Sequence, residues 1–387
     1  MTTKELDRQY IAPTYARFPI EIVSGKGSLM TDDAGKEYID MGTGIAVNTF
    51  GLADEAWIAA VTEQLDQFQH TSNLYYTAPC AQLAQMLCER TGMKKVFFGN
   101  SGAEANECAI KAARKYAQDK KGAEYYNIIT LKNSFHGRTI TTLAATGQDV
   151  FHQKFTPLTP GFLYADPADP ESLDKLVEEN NVAAIMFEAV QGEGGVLPLP
   201  EDFVKTMKRV AAEHDLLLIA DEVQIGNGRS GALYGYMNLG LDPDIVTTAK
   251  GLGGGLPLGV CLLGEKAENV LGSGDHGSTF GGNPVACAGA ISILSRLTEE
   301  TLAGVRARSE RIFSALEGAP GVKSVTGMGL MIGIETEKPA GEIVATCREA
   351  GVLVLTAKQK LRLLPALNIP EELLDRALSV IRAACAV

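Results

Sequence analysis

Three charged side chains, Glu188, Asp221 and Lys250, each come directly after a short apolar run. Ligands of an open α/β sheet collect just outside the carboxyl ends of its strands, so we expect these side chains at one edge of a sheet. Pyridoxal-phosphate chemistry needs an amine that forms an imine with the cofactor and a carboxylate that keeps the pyridine nitrogen protonated, and Lys250 and Asp221 supply both. A lone lysine at a strand end is usually a solvated surface residue, so the hypothesis depends on the pair. Glycines in the segment Gly251–Gly255 let the backbone after the lysine pass close to a bulky ligand.

A seat for a phosphate is predicted where the apolar run Lys95–Phe98 leads through a tight turn into Ser101, Gly102 and Ala103. Small residues at a helix start leave backbone N–H groups and the serine hydroxyl free to bind a phosphate at the positive end of the helix. An ordinary serine N-cap, with Glu104 completing a capping box, explains the same segment equally well. A nucleotide P-loop is excluded, because the pattern Gly-x-x-x-x-Gly-Lys-[Ser/Thr] does not occur.

A third segment of interest, Ser134–Thr139, reads Ser-Phe-His-Gly-Arg-Thr and follows an apolar run that ends at Leu131. Phe135 is suited to stacking on a pyridine ring. Arg138 is suited to holding a substrate carboxylate with its two-pronged guanidinium. Most arginines in loops are surface residues, so this assignment depends on the preceding strand belonging to the same sheet.

The elements that must position these residues are short apolar runs that alternate with amphipathic helical stretches up to about residue 265. The predicted strands are Lys95–Phe98, Ile128–Leu131, Ala183–Phe187, Leu216–Ala220, Ile245–Thr248 and Val260–Leu263. The clearest helical stretches are Glu104–Gln118 and Glu201–His214. Strand and helix in alternation predict an α/β fold with a mostly parallel sheet covered by helices on both faces.

The two ends of the chain have a different pattern. Residues 27–40 predict a hairpin that turns at Asp32, Asp33 and Gly35. After about residue 280 we expect a long helix from Pro284, short strands near 329–334 and 352–355, and a closing helix over 371–384. The predicted division is an N-terminal segment (1–50) that packs with the small domain, a large cofactor-binding domain (51–280) and a small α+β domain (281–387).

The charge of the chain restricts its partners. With 387 residues and a formal net charge of −12, nonspecific attraction to nucleic acid or to an anionic membrane is not expected. No apolar run reaches the roughly 18 residues that span a bilayer, and the first ten residues lack the apolar stretch of a secretory signal. We therefore expect a cytoplasmic protein.

The cysteines and histidines give no sign of a disulfide framework or a metal site. The seven cysteines are odd in number and scattered without a Cys-x-x-Cys pair, which is typical of small core residues. The five histidines show no ligand spacing, so no metal is predicted.

Several motifs, taken in order, resemble one family, the class III pyridoxal-phosphate aminotransferases of the ornithine and acetylornithine type. The likeness runs from Pro13-Thr-Tyr15 to the small domain. Its motifs are Asn100-Ser-Gly-Ala-Glu-Ala-Asn-Glu107, Phe135-His-Gly-Arg-Thr139, Glu188-Ala-Val-Gln-Gly-Glu193, Asp221-Glu-Val-Gln224, Lys250-Gly-Leu-Gly-Gly-Gly255 and Ser278-Thr-Phe-Gly-Gly-Asn-Pro284. The resemblance implies the fold-type-I architecture, in which a large domain with a mostly parallel sheet joins a smaller α+β domain.

The resemblance also implies how the cofactor, pyridoxal 5'-phosphate, is held. Lys250 would bind it covalently, and Asp221 would pair with its pyridine nitrogen. Phe135 and Val223 would cover the two faces of the ring, and Gln224 would meet the ring hydroxyl.

A homodimer with shared active sites is implied as well. Gly102 and Ala103 would bind the phosphate within one subunit. Thr279 would reach the phosphate of the partner subunit's cofactor, with Ser278 beside the neighbouring substrate.

For the substrates, the resemblance implies transamination between N2-acetylornithine and 2-oxoglutarate, in arginine biosynthesis. Arg138 would bind the α-carboxylate of the acylated ornithine and Arg362 that of glutamate. Glu188 would neutralise Arg362 when no glutamate is bound.

Two local features bear on the choice of substrate within the family. Ornithine enzymes carry a tyrosine where this chain has Gly44, and its absence leaves room for an acyl group. Relatives commonly read Gly-His-x-His-Pro where this chain has Gly-Leu-Ala-Asp-Glu at 51–55, a segment that shapes substrate and dimer contacts.

Other functions fit the residues less well. Ornithine, succinylornithine, γ-aminobutyrate and lysine-derivative aminotransferases, and the related semialdehyde aminomutase, share every cofactor residue. Having both Arg138 and Arg362 suits a substrate with an α-carboxylate in each half-reaction, which weakens the γ-aminobutyrate and aminomutase interpretations. A catalytically silent cofactor-binding regulator has no support, because no DNA-binding module is appended and the reactive residues are present. A nicotinamide-dependent enzyme is disfavoured, because no strand is followed by Gly-x-Gly-x-x-Gly that opens a helix.

Overall fold

The computed structural model describes residues 1–386. The strands are β1 (Ile22–Lys26), β2 (Leu29–Asp32), β3 (Glu37–Asp40), β4 (Lys95–Gly99), β5 (Asn127–Leu131), β6 (Phe162–Ala165), β7 (Val182–Phe187), β8 (Val190–Gln191), β9 (Leu197–Pro198), β10 (Leu217–Asp221), β11 (Ile245–Thr248), β12 (Gly259–Leu263), β13 (Val322–Met328), β14 (Met331–Thr336), β15 (Val352–Leu353), β16 (Leu355–Ala357) and β17 (Lys360–Leu363). The helices are α1 (Thr3–Tyr10), α2 (Thr43–Ala46), α3 (Glu55–Gln67), α4 (Ala78–Thr91), α5 (Gly102–Lys121), α6 (Ile140–Ala145), α7 (Asp149–His152), α8 (Glu171–Glu179), α9 (Glu201–Glu213), α10 (Gly235–Asn238), α11 (Pro284–Arg296), α12 (Glu299–Leu316), α13 (Ala340–Glu349) and α14 (Glu371–Cys385), and a 3₁₀ turn covers Lys250–Leu252.

Seven strands form the central sheet in the order β4-β12-β11-β10-β7-β5-β6. All neighbouring pairs are parallel except those that involve β12, which runs antiparallel to both β11 and β4. The mostly parallel sheet was predicted, and each of the six predicted strands is present within one residue at either end. The reversal of β12 was not predicted, because an apolar run has no direction in the sequence.

Strands β7, β10 and β11 are buried along their whole length because helices cover both faces of the sheet. In β7, Ile185 and Phe187 belong to one hydrophobic cluster, while Ala184 and Met186 belong to another that includes residues of α5. Successive residues of a strand point to opposite faces, so the two clusters lie on the two sides of the sheet. The sheet is thereby held rigid at the edge where its parallel strands end.

Three smaller sheets complete the fold, one of which is the two-stranded antiparallel pair of β8 and β9. Strands β13, β14, β17 and β16 form an antiparallel sheet in that order. Strands β1, β2 and β3 form a second sheet that contains the predicted hairpin, and β15 adds to it in parallel with β3. The N-terminal strands therefore pair with a strand from the C-terminal part, while the domain boundaries at 50 and 280 remain a prediction.

Several predicted elements need correction. The single long helix expected after Pro284 is two helices, because Thr298 caps α12 by accepting a hydrogen bond from the Thr301 N–H. Helices α3 and α4 and strand β6 were not predicted, since their apolar residues are few or only partly buried. Across residues 1–386, no helix is both long and apolar enough to cross a membrane, and no group of His, Cys, Asp or Glu side chains is arranged to hold a metal ion.

Candidate active site

The residues with predicted chemistry gather around one cavity of about 460 Å³ at the carboxyl ends of the parallel strands. Strand β10 ends with Asp221, which pairs in register with Thr247 of β11, and Lys250 follows β11 by two residues. The cavity is lined by Val47, Asn100, Ser101, Gly102, Ala103, Asn106, Phe135, His136, Gly137, Arg138, Glu188, Asp221, Val223, Gln224, Ala249, Lys250, Gly255, Leu256, Pro257 and Leu258. Residues predicted from five different segments therefore share one cavity.

Lys250 is half-buried, and its backbone has φ of +45°, in the left-handed region that residues with a β-carbon rarely adopt. Burial lowers the pKa of its amine, an effect that the charges of Glu193 and Asp221 partly oppose. A lowered pKa raises the fraction of neutral amine, which is the nucleophilic form. The amine is therefore suited to covalent bond formation.

Asp221 is 3% exposed and is held by three hydrogen bonds. Its Oδ2 accepts from Nδ2 of Asn106 at 2.8 Å and from Nδ1 of His136 at 2.8 Å, and its Oδ1 accepts from the Val223 N–H at 3.0 Å. The His136 backbone N–H donates in turn to the Thr146 hydroxyl at 2.9 Å. The carboxylate is thus fixed in orientation and able to pair with a protonated ring nitrogen.

His136 and Asn106 were not predicted as site residues, although both lie inside motifs that the sequence brought forward. Asn106 is one turn into α5, and His136 stands between Phe135 and Gly137. In the sequence, each of them is only a polar residue within a motif. Their burial, at 1% exposure for Asn106 and 2% for His136, becomes visible only in the structure.

The predicted phosphate seat is the N-terminus of α5. Ser101 is the N-cap, and its hydroxyl oxygen accepts from the Glu104 N–H at 3.2 Å, so the capping interpretation of this segment is correct. The Glu104 carboxylate accepts from the Asn100 N–H at 2.7 Å. Capping does not exclude an anion, because the first backbone N–H groups of a helix have no partner within it.

Glycine is required at the first residue of α5. A β-carbon on Gly102 would lie 2.7 Å from Cγ1 of Val223, so no side chain fits there without displacing a residue of the cavity wall. Gly102 and Val223 therefore bring two parts of the predicted cofactor site into close contact.

The residues around the cavity fit pyridoxal phosphate. Besides the lysine and the fixed carboxylate, two buried polar atoms that face this region, Nε2 of His136 and Oδ1 of Asn106, have no hydrogen-bond partner within residues 1–386. Phe135 and Val223 both line the cavity, as residues that cover a ring must. When bound, the cofactor would be held by Lys250, by Asp221 and by the helix start.

The predicted partner of Arg362 was wrong. Arg362 lies on β17, is 3% exposed, and places Nη1 2.5 Å from Oε1 of Glu193 and 3.0 Å from Oε1 of Gln224. Glu188 instead accepts from the backbone N–H groups of Phe135 at 2.8 Å and Gly192 at 3.2 Å. Glu188 immediately follows β7 and therefore lies against the neighbouring backbone. Glu193 lies beyond a turn, and this turn places it next to Arg362.

The two glutamates accordingly differ in protonation. Burial raises the pKa of Glu188 to about 7, although the charge of His136 and the two N–H donors partly oppose this. Burial also raises the pKa of Glu193, but the Arg362 guanidinium, together with Lys250 and Gln224, offsets it and holds that pKa below its usual value. Gln224, predicted to meet the ring hydroxyl, donates to Glu193 at 3.3 Å.

The remaining predicted residues lie at the margin of the cavity or outside its lining. Arg138 is exposed, and its guanidinium carbon lies 4.3 Å from the centre of the Phe151 ring. Ser278 accepts from Nδ2 of Asn100 at 3.1 Å and borders a neighbouring cavity of about 530 Å³ that Tyr75 and Tyr76 also line. The side chain of Thr279 is exposed, and a single chain does not bring it to the cavity of Lys250.

Comparisons with known proteins agree with this geometry. The family model described as aminotransferase class-III matches residues 10–385. A protein from Haemophilus ducreyi named acetylornithine aminotransferase is 49% identical over 98% of this chain and 97% of its own. A succinylornithine transaminase from Citrobacter koseri is 43% identical over 99% of this chain and 97% of its own. The crystal structure of the ornithine aminotransferase from Toxoplasma gondii superposes with a TM-score of 0.94 at 30% identity, and the match covers 100% of this chain and 95% of that one.

The sequence motifs, the sheet that carries Asp221 and Lys250 to one cavity, and a match over nearly the whole length agree with one another. The chain belongs to the class III aminotransferases, enzymes of fold type I that depend on pyridoxal phosphate.

Proposed function

We propose that this aminotransferase moves the δ-amino group of N2-acetylornithine to 2-oxoglutarate and so forms N-acetylglutamate 5-semialdehyde and glutamate. The proposal rests on one observation: two arginines, one exposed and one buried, lie near Lys250. Arg138 is exposed at the cavity wall, while Arg362 is buried and neutralised by Glu193. Two half-reactions with differently shaped substrates need two carboxylate sites of this kind.

The cofactor, Asp221 and Lys250 would have separate roles in the reaction. Pyridoxal phosphate, when bound, supplies an electron sink for the electrons released at the substrate carbon. Asp221 holds a proton on the ring nitrogen through its fixed carboxylate. The Lys250 amine first holds the cofactor and then, once released, takes the proton from the substrate carbon and delivers it as general base and acid.

The amine substrate would be oriented by its α-carboxylate on Arg138, through two parallel hydrogen bonds. The Gly44 position supports an acylated substrate, because glycine places no side chain there; an added β-carbon would already be in van der Waals contact with Nδ2 of Asn48, at 3.6 Å.

The keto-acid substrate would use Arg362. In the unliganded site Glu193 and Gln224 occupy this guanidinium, so an incoming α-carboxylate must displace Glu193. An amine substrate that does not displace Glu193 meets the neutral Arg362–Glu193 pair. This exchange lets one cavity serve two substrates in turn.

Succinylornithine is the second candidate substrate, because a relative of that name matches this chain almost as fully. Ornithine and other ω-amines follow it. The cytoplasmic location and a role in arginine biosynthesis also remain predictions.

The test is an absorption spectrum of the purified holoenzyme, mixed in turn with N-acetylornithine, succinylornithine, ornithine and γ-aminobutyrate, without any keto acid. We expect the band of the lysine-bound cofactor to disappear fastest with N-acetylornithine. A faster response to another amine would replace the proposed substrate. Absence of the band after pyridoxal phosphate is added would contradict the role of Lys250.

We also propose a homodimer in which Thr279 serves the partner's site. Several large apolar side chains near this loop are exposed in the single chain, including Leu74, Tyr76 and Phe280. The loop is held in place from within its own subunit, because Nδ2 of Asn73 donates to the carbonyl oxygens of Ser278 and Gly281 at 2.9 Å each.

Mixed dimers test this arrangement. A Lys250→Ala subunit has no working site of its own but still offers its Thr279 to a partner. Paired with Thr279→Ala subunits, it should restore one site per dimer, with intact Lys250 and intact Thr279, to the rate of a wild-type site. Activity no higher than that of Thr279→Ala dimers would show that the threonine acts within its own subunit.

A further inference from the structure

We infer that Phe151 is a positioning residue for Arg138, and that its ring sets how well the enzyme recognises the α-carboxylate of the amine substrate. The inference rests on the proposed role of Arg138. The Arg138 guanidinium carbon lies 4.3 Å from the centre of the Phe151 ring and 5.5 Å from that of Phe135. The two rings meet edge to face, with centres 5.8 Å apart at 73°.

Arg138 depends on these rings because no carboxylate holds it. None of the ion pairs formed within residues 1–386 includes Arg138, although the side chain is exposed and long. A free arginine side chain loses about 2 kcal/mol of rotamer entropy when it is fixed. A guanidinium already stacked on a ring has lost part of that freedom before the substrate arrives, so binding costs less.

Stacking leaves the useful part of the arginine free. A guanidinium on an aromatic ring is contacted on its flat face, whereas a carboxylate binds the N–H groups at its edge. The ring of Phe151 therefore orients Arg138 without competing for the substrate. A carboxylate partner such as Glu193 would occupy the same N–H groups that the substrate needs.

The ring is itself held in place by its neighbour in sequence. Nε2 of His152 lies 2.7 Å from the carbonyl oxygen of Thr146 and 3.0 Å from that of Leu143, at the end of α6. This contact fixes the short helix α7. Phe151 is half-buried, while Val150 beside it is 66% exposed.

The test compares Phe151→Leu and Phe151→Met with Phe151→Tyr, which keeps the ring, and with Val150→Ala as the matched control in the same helix. Single-turnover kinetics of the holoenzyme with N-acetylornithine should show the half-saturating concentration rising roughly three- to tenfold in the first two variants, the range of a cation–π contact. The limiting rate should stay within about twofold, because the ring does not touch the reacting atoms. Phe151→Tyr and Val150→Ala should resemble the wild type.

Two further substrates separate positioning from a general structural defect. The half-reaction with 2-oxoglutarate should be affected less, since its α-carboxylate uses Arg362. N-acetyl-1,4-diaminobutane, which lacks the α-carboxylate, should respond equally in all variants. Equal weakening of all three substrates, or an unchanged half-saturating concentration for N-acetylornithine in Phe151→Leu, would overturn the inference.

Failure of the proposed substrate gives a different result. If the wild type prefers another ω-amine that carries an α-carboxylate, the substrate assignment is wrong, and the same comparison with that amine decides the role of Phe151. If the wild type does not distinguish amines with and without the α-carboxylate, Arg138 does not bind it and the inference fails with its premise.

Discussion

Arg138 and Arg362 each present a guanidinium to a carboxylate, but their surroundings are opposite in kind. Arg138 lies in a loop, is exposed, and is held by aromatic rings. Arg362 lies on a strand, is 3% exposed, and is held by Glu193 and Gln224. The first charge is available at once, whereas the second becomes available only when a substrate displaces a carboxylate.

Burial explains the difference. A charged group inside a protein costs several kcal/mol unless it is paired, so Arg362 needs a carboxylate whenever no substrate is bound. Arg138 keeps most of its hydration and needs only an orienting surface. The two arginines should therefore differ in how strictly they select a carboxylate. The exposed arginine binds many carboxylates weakly, and the buried arginine binds those that can replace Glu193.

The largest expected effect separates the two half-reactions. Replacing Arg362 by leucine should reduce kcat/KM of the 2-oxoglutarate half-reaction by about a hundredfold or more and reduce that of the N-acetylornithine half-reaction much less, because only the former uses this guanidinium to bind a substrate carboxylate. Arg138→Leu should show the reverse. Rapid-mixing absorbance of each half-reaction measures both, and equal losses in the two half-reactions would remove the distinction between the arginines.

A smaller effect is expected on stability. Glu193→Ala leaves a buried guanidinium with only Gln224 and should lower the free energy of unfolding by about 1–3 kcal/mol, the cost of leaving a buried charged group unsatisfied. The unreactive dicarboxylate glutarate should recover more stability in this variant than in the wild type. Urea denaturation of the holoenzyme measures both quantities, with exposed Glu337→Ala as the control. A Glu193→Ala protein as stable as the control would contradict the need for a partner.

A third effect concerns the pH dependence of stability and depends on Glu188, a buried carboxylate without a guanidinium. Its pKa is about 7 in the folded protein and near the ordinary 4.5 when unfolded, so between these values the folded state binds more protons and its stability falls as the pH rises. Its contribution is fully present below pH 4.5 and is lost by about pH 7. Glu188→Gln should remove this part of the pH dependence.

The difference in stability between wild type and Glu188→Gln, measured by chemical denaturation of the cofactor-free protein from pH 5 to 8, isolates the group. Glu222 is also buried, and its pKa is raised to about 8, so it contributes in the same direction to both proteins and cancels. Parallel pH curves would mean that Glu188 is ionised at all these pH values.

The sequence predicted the part of the site that depends on backbone topology. Asp221 and Lys250 could be placed at one edge because parallel strands end on the same side of a sheet, and this does not depend on how their side chains pack. The candidate phosphate seat was predicted from a run of small residues at a helix start, a feature that is local in sequence.

What could not be predicted depends on contacts between distant segments. The choice of Glu193 over Glu188 as the partner of Arg362 is made across 169 residues, by the turn after β8 and the position of β17. The contact of Arg138 with Phe151 depends on helix α7, whose four residues are too few to leave a periodic pattern. Strand periodicity locates a carboxylate at the edge of a sheet, but the side-chain contacts beyond it follow from tertiary packing.

The left-handed backbone of Lys250 has a consequence for protein engineering. A β-carbon in that conformation costs about 1–2 kcal/mol, more than the roughly 0.5–1 kcal/mol that the greater freedom of an unfolded glycine costs. A Lys250→Gly protein should therefore melt at a higher temperature than Lys250→Ala, although both are inactive. The fold therefore gives up stability at the position of its reactive amine, and a stability screen of inactive variants at this position should rank glycine above alanine.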